Sequence, residues 1–326
     1  MPDKLRVIPL GGLGEIGRNM MVMEYGEDLI IIDAGLMFPE EDMLGVDLVI
    51  PDISYVIERQ HKLRGIIITH GHEDHTGALP YILNRVQAPI YCTRLTRGLI
   101  SVKLEEHHLQ DQADLRVVQV GERIHLGSFV VEFVRVTHSI PDSAGLAIST
   151  PLGTVFHTGD FKLDHTPVMG EPTDLIRIAQ LGREGVFLLL SDSTYAEIPG
   201  YTPSERNVSR TLEYIMSSAS GRVIIATFAS LISRVQQIAD AASRSNRQVF
   251  VTGRSMLANV KMALRQGYLQ TDQDLLMPME RMRNFPPDQI VIVTTGAQGE
   301  PMSSLVRMAN RDHRHIEIVP GDTVVF

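Results

Sequence analysis

Apolar runs separated by turn residues set the pattern of the first 200 or so residues. Each run is short and bounded by Gly, Pro or Asp, which is typical of β-strands. The clearest predicted strands are Leu29–Ile32, Gly65–Ile68, Phe129–Val134 and Val186–Leu190. This part of the chain is therefore predicted to fold into β-sheets with few helices between them.

The pattern changes after Pro199 and Gly200, where helix-like and strand-like segments alternate. The predicted helices and strands are, in chain order, Ser204–Ser218, Arg222–Ala226, Leu231–Ser243, Gln248–Val251 and Ser255–Arg265. Such alternation is typical of a βαβ domain with a parallel sheet. We therefore predict a domain boundary near residue 200.

Composition limits the class of protein. The 326 residues, 44% of them hydrophobic, suffice for two domains with buried cores. No apolar run approaches the ~20 residues that span a bilayer, so we expect a cytoplasmic protein without a membrane segment. The single cysteine, Cys92, excludes an intramolecular disulfide and is interpreted as a core residue. The net charge of −9 argues against nonspecific nucleic-acid binding, although carboxylates that bind cations contribute to that sum.

A dense group of histidines follows one of the predicted strands. His70, His72 and His75 lie within six residues, together with Asp74, directly after Gly65–Ile68. Imidazole and carboxylate groups are zinc ligands, and a loop at a strand end can direct closely spaced side chains to one point. The alternative, ordinary surface histidines, is weak because loops rarely concentrate such groups. The group is therefore predicted to bind metal, and a helix is predicted to start just after it.

Two later segments place further ligand types after predicted strands. His138 lies in Val136–Asp142, and Asp160 lies in Phe156–Phe161. Alone, a histidine after a strand is more often structural, and a Thr-Gly-Asp sequence is common in turns. Together with the first group they favour a metal site. His107, His108 and the remaining histidines, among them His157, are interpreted as solvated or structural.

The order HxHxDH, then His, then Asp resembles the metallo-β-lactamase superfamily. The resemblance implies an α/β fold in which two packed β-sheets lie between helices, and a site where two metal ions activate water for hydrolysis. It assigns one metal to His70, His72 and His138, a second to Asp74 and His75, and a bridging position to Asp160.

Asp33, in Ile31–Gly35, matches the first motif of that superfamily. The resemblance implies that Asp33 lies behind the metals and orients one of their ligands. From local sequence alone, an ordinary turn residue at a strand end is an equal alternative.

Further segments resemble the ribonuclease J family, in the β-CASP branch of the superfamily. They are Gly11–Met20, Leu190–Thr194, Thr227–Ser230, Gly253–Met256 and Thr295–Met302. A generic hydrolase does not need them, so they are more specific than HxHxDH. Asp192 corresponds to an acid that the family places close to the metals, and we expect it to act in catalysis with Asp74; a turn cap is the alternative. Tyr195 and Leu231 depart from the family, which usually has Asn at both positions.

The resemblance covers essentially the whole chain. It implies a metallo-β-lactamase αββα sandwich over residues 1–200, followed by an inserted β-CASP βαβ domain over residues 201–326, both incomplete. Because Phe326 ends an apolar β-run, we expect a longer parent protein. Later family motifs, including another metal-binding histidine, are expected beyond this chain.

The function implied by the resemblance is hydrolysis of RNA phosphodiesters, by 5′-to-3′ exonuclease and endonuclease action in RNA maturation and decay. Two Zn²⁺ ions are expected in the site, with Mn²⁺ as an alternative. RNA is the expected partner, and the full-length protein is expected to be a homo-oligomer. Two alternatives stay open: a small-molecule metallo-hydrolase of the same fold, and a non-catalytic RNA-binding fragment. The segment after Pro199 argues against the first, and the intact ligand set argues against the second.

Overall fold

The computed structural model describes residues 4–40, 43–297, 299 and 303–326. They form two compact units. The first unit runs to Thr202 apart from Thr166–Met169, which belongs with Pro203–Phe326 to the second unit. Among the described residues, no helix is both long and apolar enough to cross a membrane.

One sheet of the first unit has six strands that follow each other in chain order. They are β1 (Leu5–Gly11), β2 (Met20–Tyr25), β3 (Asp28–Ile32), β4 (Leu63–Ile67), β5 (Ile90–Cys92) and β6 (Leu115–Val117). The first three pair antiparallel, whereas β3 to β6 pair in parallel. Parallel pairing brings the carboxyl ends of β3 and β4 to the same edge of the sheet.

The other sheet of this unit has five strands in the order β11-β10-β9-β8-β7. They are β7 (Arg123–Leu126), β8 (Phe129–Arg135), β9 (Ala144–Thr150), β10 (Gly153–His157) and β11 (Val186–Leu190). All neighbours are antiparallel except β10 and β11, which are parallel. Two strands of this sheet, β8 and β10, end three residues before His138 and Asp160 of the predicted metal site.

Alternation along the strands explains how the two sheets pack. Ile30 and Ile67 of the first sheet lie in one core with Phe129, Phe133 and Leu146 of the second. Since successive strand residues point to opposite faces, the intervening residues pack outward against helices. The helices of this unit are α1 (Ser54–Glu58), α2 (Glu73–Thr76), α3 (Leu79–Ile82), α4 (Arg94–Glu106) and α5 (Leu175–Glu184).

Helices cover both outer faces of the paired sheets. Ile31 and Ile66 share a core with Ile82 of α3 and Ile100 of α4, while Leu181 of α5 packs on the other sheet. The resulting helix-sheet-sheet-helix arrangement confirms the predicted αββα class. The 13-residue α4 was not predicted, because its buried Leu95, Leu99 and Ile100 are interrupted by Thr and Gly.

The second unit is built around a parallel sheet in the order β14-β13-β15-β12-β16. Its elements are α6 (Arg206–Ser218), β12 (Val223–Ala226), α7 (Ile232–Arg244), β13 (Gln248–Val251), α8 (Arg254–Gln266), β14 (Leu276–Met277), β15 (Ile290–Thr294), α9 (Ser304–Ala309) and β16 (Thr323–Val325). Every residue of β15 is buried, as expected for a central strand covered on both faces. The βαβ alternation predicted for this region is present.

Gly35 provides a test of the packing next to β3. A Cβ atom at this position would overlap the backbone oxygen of Asp74, which cannot move without displacing α2. We predict that Gly35→Ala lowers the free energy of unfolding by about 1–3 kcal/mol or more. Gly182 in α5 is the control, because a Cβ there meets no atom and alanine favours helix. Denaturant unfolding of both variants measures this, and a Gly35→Ala protein as stable as Gly182→Ala would contradict the packing described.

Candidate metal centre

Four strand ends deliver the predicted metal-site residues to one region of the first unit. Asp33 directly follows β3. His70 lies three residues after the end of β4, which is the neighbouring strand of the same sheet. His138 and Asp160 each lie three residues beyond the ends of β8 and β10 in the facing sheet. Both sheets thus contribute ligand-type side chains at the same edge of the sandwich.

The HxHxDH segment is part loop and part helix. Helix α2 begins at Glu73, so Asp74 and His75 are helical, and the prediction that a helix starts only after His75 was wrong. The backbone of His72 is extended, and its carbonyl accepts hydrogen bonds from His75 N and Thr76 Oγ1. This early turn reverses the chain direction and brings His75 back beside His70, with ring centroids 4.0 Å apart.

Three imidazole nitrogens converge at the first candidate position. Nδ1 of His72 lies 3.1 Å from Nε2 of His70 and 3.2 Å from Nε2 of His138. Zinc held tetrahedrally by nitrogen at ~2.0–2.1 Å places its ligand atoms about 3.3 Å apart. The nitrogen set therefore fits a metal ion.

A second group of potential ligands lies beside the first. His70, His75 and Asp160 form it, with the ligand atoms within 4.8 Å of one another. Oδ1 of Asp160 is 3.4 Å from Nε2 of His75, and Oδ2 is 3.8 Å from Nε2 of His138. The two oxygens of Asp160 thus face the two groups. Asp74 belongs to neither group, but its Oδ2 lies 3.5 Å from Nε2 of His75.

Asp33 is buried behind these histidines and holds two of the segments together. Its Oδ1 accepts a hydrogen bond from Thr69 N at 2.8 Å, and its Oδ2 lies 2.8 Å from Nδ1 of His75. Thr69 Oγ1 also reaches Asp33 and lies 3.1 Å from Nδ1 of His70. With both Nδ1 atoms engaged on this side, the Nε2 atoms of His70 and His75 face the ligand groups.

The electrostatic surroundings keep most of these side chains in the protonation state that binds metal. Burial lowers the pKa of His70 well below its ordinary value, and it lowers the pKa of His72 to about 3. Burial also lowers the pKa of His138, although Asp160 opposes the shift. Burial alone would raise the pKa of Asp160, but His75 and the other imidazoles outweigh this effect and hold the pKa below its ordinary value. Neutral imidazoles and an ionised carboxylate are the ligand forms that metals require.

His75 behaves differently from the other three histidines. Burial alone would lower its pKa, but Asp33, Asp74 and Asp160 raise it well above the ordinary value. This raised pKa applies to the metal-free protein, in which several carboxylates surround one imidazole. A cation at this position would replace the proton as the charge that these carboxylates stabilise.

The other residues singled out in the sequence are placed as follows. Asp192 follows β11, and its Oδ1 accepts hydrogen bonds from Thr194 N and Oγ1, as a turn cap does. Its charge opposes the lowering of the His138 pKa by burial, so Asp192 contributes to the electrostatic field of the site. His107 and His108 are exposed. Of the segment Thr295–Met302, residues Gln298, Glu300, Pro301 and Met302 lie outside the described residues.

A cavity of about 810 Å³ opens onto this region. Its walls include Asp74, His75, Asp160 and Asp192, together with the glycine-rich loop between β1 and β2. His157, interpreted from sequence as surface or structural, also lines the cavity; its Nδ1 accepts a hydrogen bond from Gly159 N in the turn before Asp160. The cavity therefore gives a substrate access to the acidic side of the site.

Two contacts of the HxHxDH segment were not predicted. Lys103 of α4 forms an ion pair with Glu73, and the side-chain amide of Asn19 reaches Asp74 and His75. Both partners are distant in sequence, so only the fold brings them together. The sole signal for Asn19 is its position in the segment Gly11–Met20, which sequence reasoning identified without assigning roles.

Comparison with protein families covers most of the chain. Residues 13–206 match the model of the metallo-β-lactamase superfamily, and residues 220–326 match that of the ribonuclease J β-CASP domain. A crystal structure of a protein of unknown function from Enterococcus faecalis V583 covers 99% of this chain and 89% of its own, with a TM-score of 0.68 at 15% identity. At that identity the likeness shows the fold alone.

Curated relatives are more similar in sequence. Ribonuclease J of Synechocystis sp. is 48% identical over 324 residues, which are 99% of this chain and 51% of the relative. Ribonuclease J of Thermus thermophilus is 47% identical over 331 residues, 99% of this chain and 58% of the relative. The chain thus spans about half the length of the curated relatives it matches.

Replacing Asp33 tests the electrostatic picture of His75. Asp33→Asn keeps the shape of the side chain but removes its charge, so the pKa of His75 in metal-free protein should fall. NMR titration of the imidazole nitrogens measures this shift. Because the folded-state pKa is raised, protonated His75 stabilises the metal-free fold below about pH 6.5, and this contribution is lost as pH rises through the folded-state pKa. Asp111→Asn at an exposed position is the control; an unchanged His75 titration in Asp33→Asn would refute the assignment.

Proposed function

The chain belongs to the metallo-β-lactamase superfamily, in its ribonuclease J β-CASP branch, and on that premise we propose that it is a metal-dependent ribonuclease that hydrolyses RNA phosphodiesters. The observation that carries the proposal is the convergence of three imidazole nitrogens next to a carboxylate whose two oxygens face two ligand groups. Such an arrangement suits two cations side by side.

The metal ligands are assigned on this geometry and the family resemblance. His70, His72 and His138 would hold one ion, His75 and Asp74 would hold the second, and Asp160 would lie between them. A divalent cation pair supplies a lowered water pKa and stabilises charge on phosphoryl oxygens. The nitrogen-rich first group favours Zn²⁺, and Mn²⁺ is the second choice because the other group contains more oxygen.

The residues behind the ligands have their own roles in the proposal. Asp33 orients His75 through Nδ1 and leaves Nε2 directed toward the cavity, which is the usual work of a carboxylate behind a metal-bound imidazole. Asp74 and Asp192 are the proposed catalytic acids. Both line the cavity in which a phosphodiester would meet the ligand groups.

Charge explains why such a site needs cations to act on RNA. Asp74, Asp160 and Asp192 line one cavity wall, where they would repel phosphate groups. Bound divalent ions reverse the sign of the local field, so RNA binding at this wall should depend on metal. The net charge of −9 is compatible with an RNA substrate on this reasoning.

Finer features of the function rest on the family resemblance. We propose 5′-to-3′ exonuclease and endonuclease action on RNA in maturation and decay, in the cytoplasm. The names of the relatives support RNA as the substrate class. Homo-oligomer formation of the full-length protein is proposed from the family resemblance alone.

An RNA cleavage assay tests the proposal. The chain is incubated with end-labelled 5′-monophosphate RNA and added Zn²⁺ or Mn²⁺, and product lengths are read on a gel. We expect stepwise shortening or internal cuts. His72→Ala should lower the rate by more than about a hundredfold, because even partners behind metal ligands are worth 10–100-fold. His125→Ala, at an exposed histidine of β7, should cleave like the unaltered chain.

Metal content is measured in parallel. If the unaltered chain binds two metal equivalents and cuts no RNA, the nuclease proposal fails. Cleavage that persists in His72→Ala would show that the activity does not depend on this site.

A further inference from the structure

Asn19 immediately precedes β2 and touches two proposed ligands of the second metal at once. Its Nδ2 lies 3.1 Å from the backbone oxygen of Asp74, 3.3 Å from Oδ2 of Asp74 and 3.2 Å from Nε2 of His75. These partners lie 55 and 56 residues further along the chain, so the contact is a tertiary one. A partly buried amide directed at two adjacent ligand atoms calls for an explanation.

The backbone places Asn19 there independently of its side chain. Asn19 N donates to the Asp74 oxygen at 2.9 Å, and Gly35 N donates to the Asn19 oxygen at 2.8 Å. The segment therefore forms a bridge between α2 and the residues that follow β3. Substitutions of the Asn19 side chain leave both hydrogen bonds available, so the position can be probed without removing the bridge.

Two glycines make room for this arrangement. A Cβ atom on Gly12 would overlap Oδ1 of Asn19, and one on Gly35 would overlap the Asp74 oxygen and crowd Asn19 N. Gly12 also has a φ of +85°, which side-chain-bearing residues rarely adopt. Gly12 and Gly35 thus leave the space that Asn19 needs to lie against Asp74.

The hydrogen-bonding capacity of the amide matches a metal-loaded site. A side-chain NH₂ group has two protons, and Nδ2 of Asn19 lies within hydrogen-bond distance of three atoms. Nε2 of His75 cannot accept a hydrogen bond when it is bound to a metal ion. The two amide protons are then available to the backbone oxygen and Oδ2 of Asp74, and Oδ2 lies 3.5 Å from Nε2 of His75.

We infer that Asn19 is a positioning residue that holds the Asp74 carboxylate beside His75, so that both can bind the second metal ion. The inference rests on the proposed function for the identity of the site, and it adds a residue that acts through Asp74. In this arrangement the Asp33 carboxylate holds His75 through Nδ1, and the neutral amide of Asn19 holds Asp74.

Cobalt binding tests the inference without reliance on catalysis. Co²⁺ is titrated into metal-free protein while its visible absorption bands are recorded, for the unaltered chain, Asn19→Leu and Asn19→Ala. Asn19→Leu keeps the volume and loses the donors, and Asn19→Ala provides a smaller side chain in case leucine prevents folding. Asn84→Leu, at an exposed asparagine, is the matched control. His138→Ala identifies the equivalent that belongs to the three-histidine group.

We expect the Asn19 variants to bind the three-histidine equivalent normally and the other equivalent about 10–100-fold more weakly, with altered absorption of the second ion. The inference would be overturned if a folded Asn19 variant bound both Co²⁺ equivalents with the same affinities and the same spectra as the unaltered chain. RNA cleavage by the same samples separates the two hypotheses. Two bound equivalents without cleavage in the unaltered chain contradict the proposed function alone, whereas unchanged metal binding in the Asn19 variants contradicts only the role of Asn19.

Discussion

The buried carboxylate of Asp33 is the contact on which the site depends. The residue leaves β3 with a φ of 60°, and its N donates to the Ile67 oxygen at the end of β4. Its oxygens then engage Thr69 N and Nδ1 of His75. The parallel pairing of β3 and β4 therefore places the Asp33 carboxylate where it can bind the segment that follows β4. At 2.8 Å, Asp33 is nearer to the His75 ring than Asn19, Asp74 or Asp160, which lie 3.2–3.5 Å from its Nε2.

Burial creates an electrostatic problem that a pair of cations would solve. Four imidazoles and three carboxylates share a small region, and taking them out of water disfavours whichever form is charged. Burial favours the neutral form of His70 and His72, whereas the surrounding carboxylates favour the positively charged form of His75. Neutral nitrogens on one side and anionic oxygens on the other are what a metal pair requires. The apolar cores on both sides of the site make this arrangement rigid enough to persist.

Much of this organisation could be predicted from sequence because it is local. The run from His70 to His75 is dense enough to stand out, and Val186–Leu190 and Gln248–Val251 form strands within the predicted bounds. What could not be predicted depends on long-range packing. Asn19 N donates to the oxygen of Asp74, and Ala34 N donates to the oxygen of His75, so residues far apart in the sequence hold α2 in place. Periodicity carries no information about such contacts.

The most direct test of the account is the position of bound metal. Zinc-loaded crystals of the chain, with anomalous diffraction recorded at the zinc edge, should show two peaks. One peak should lie ~2.0–2.1 Å from nitrogens of His70, His72 and His138, and the other should lie between His75 and Asp160. Zinc bound elsewhere, with the three imidazole nitrogens free of metal, would contradict the central claim that these residues form a metal centre.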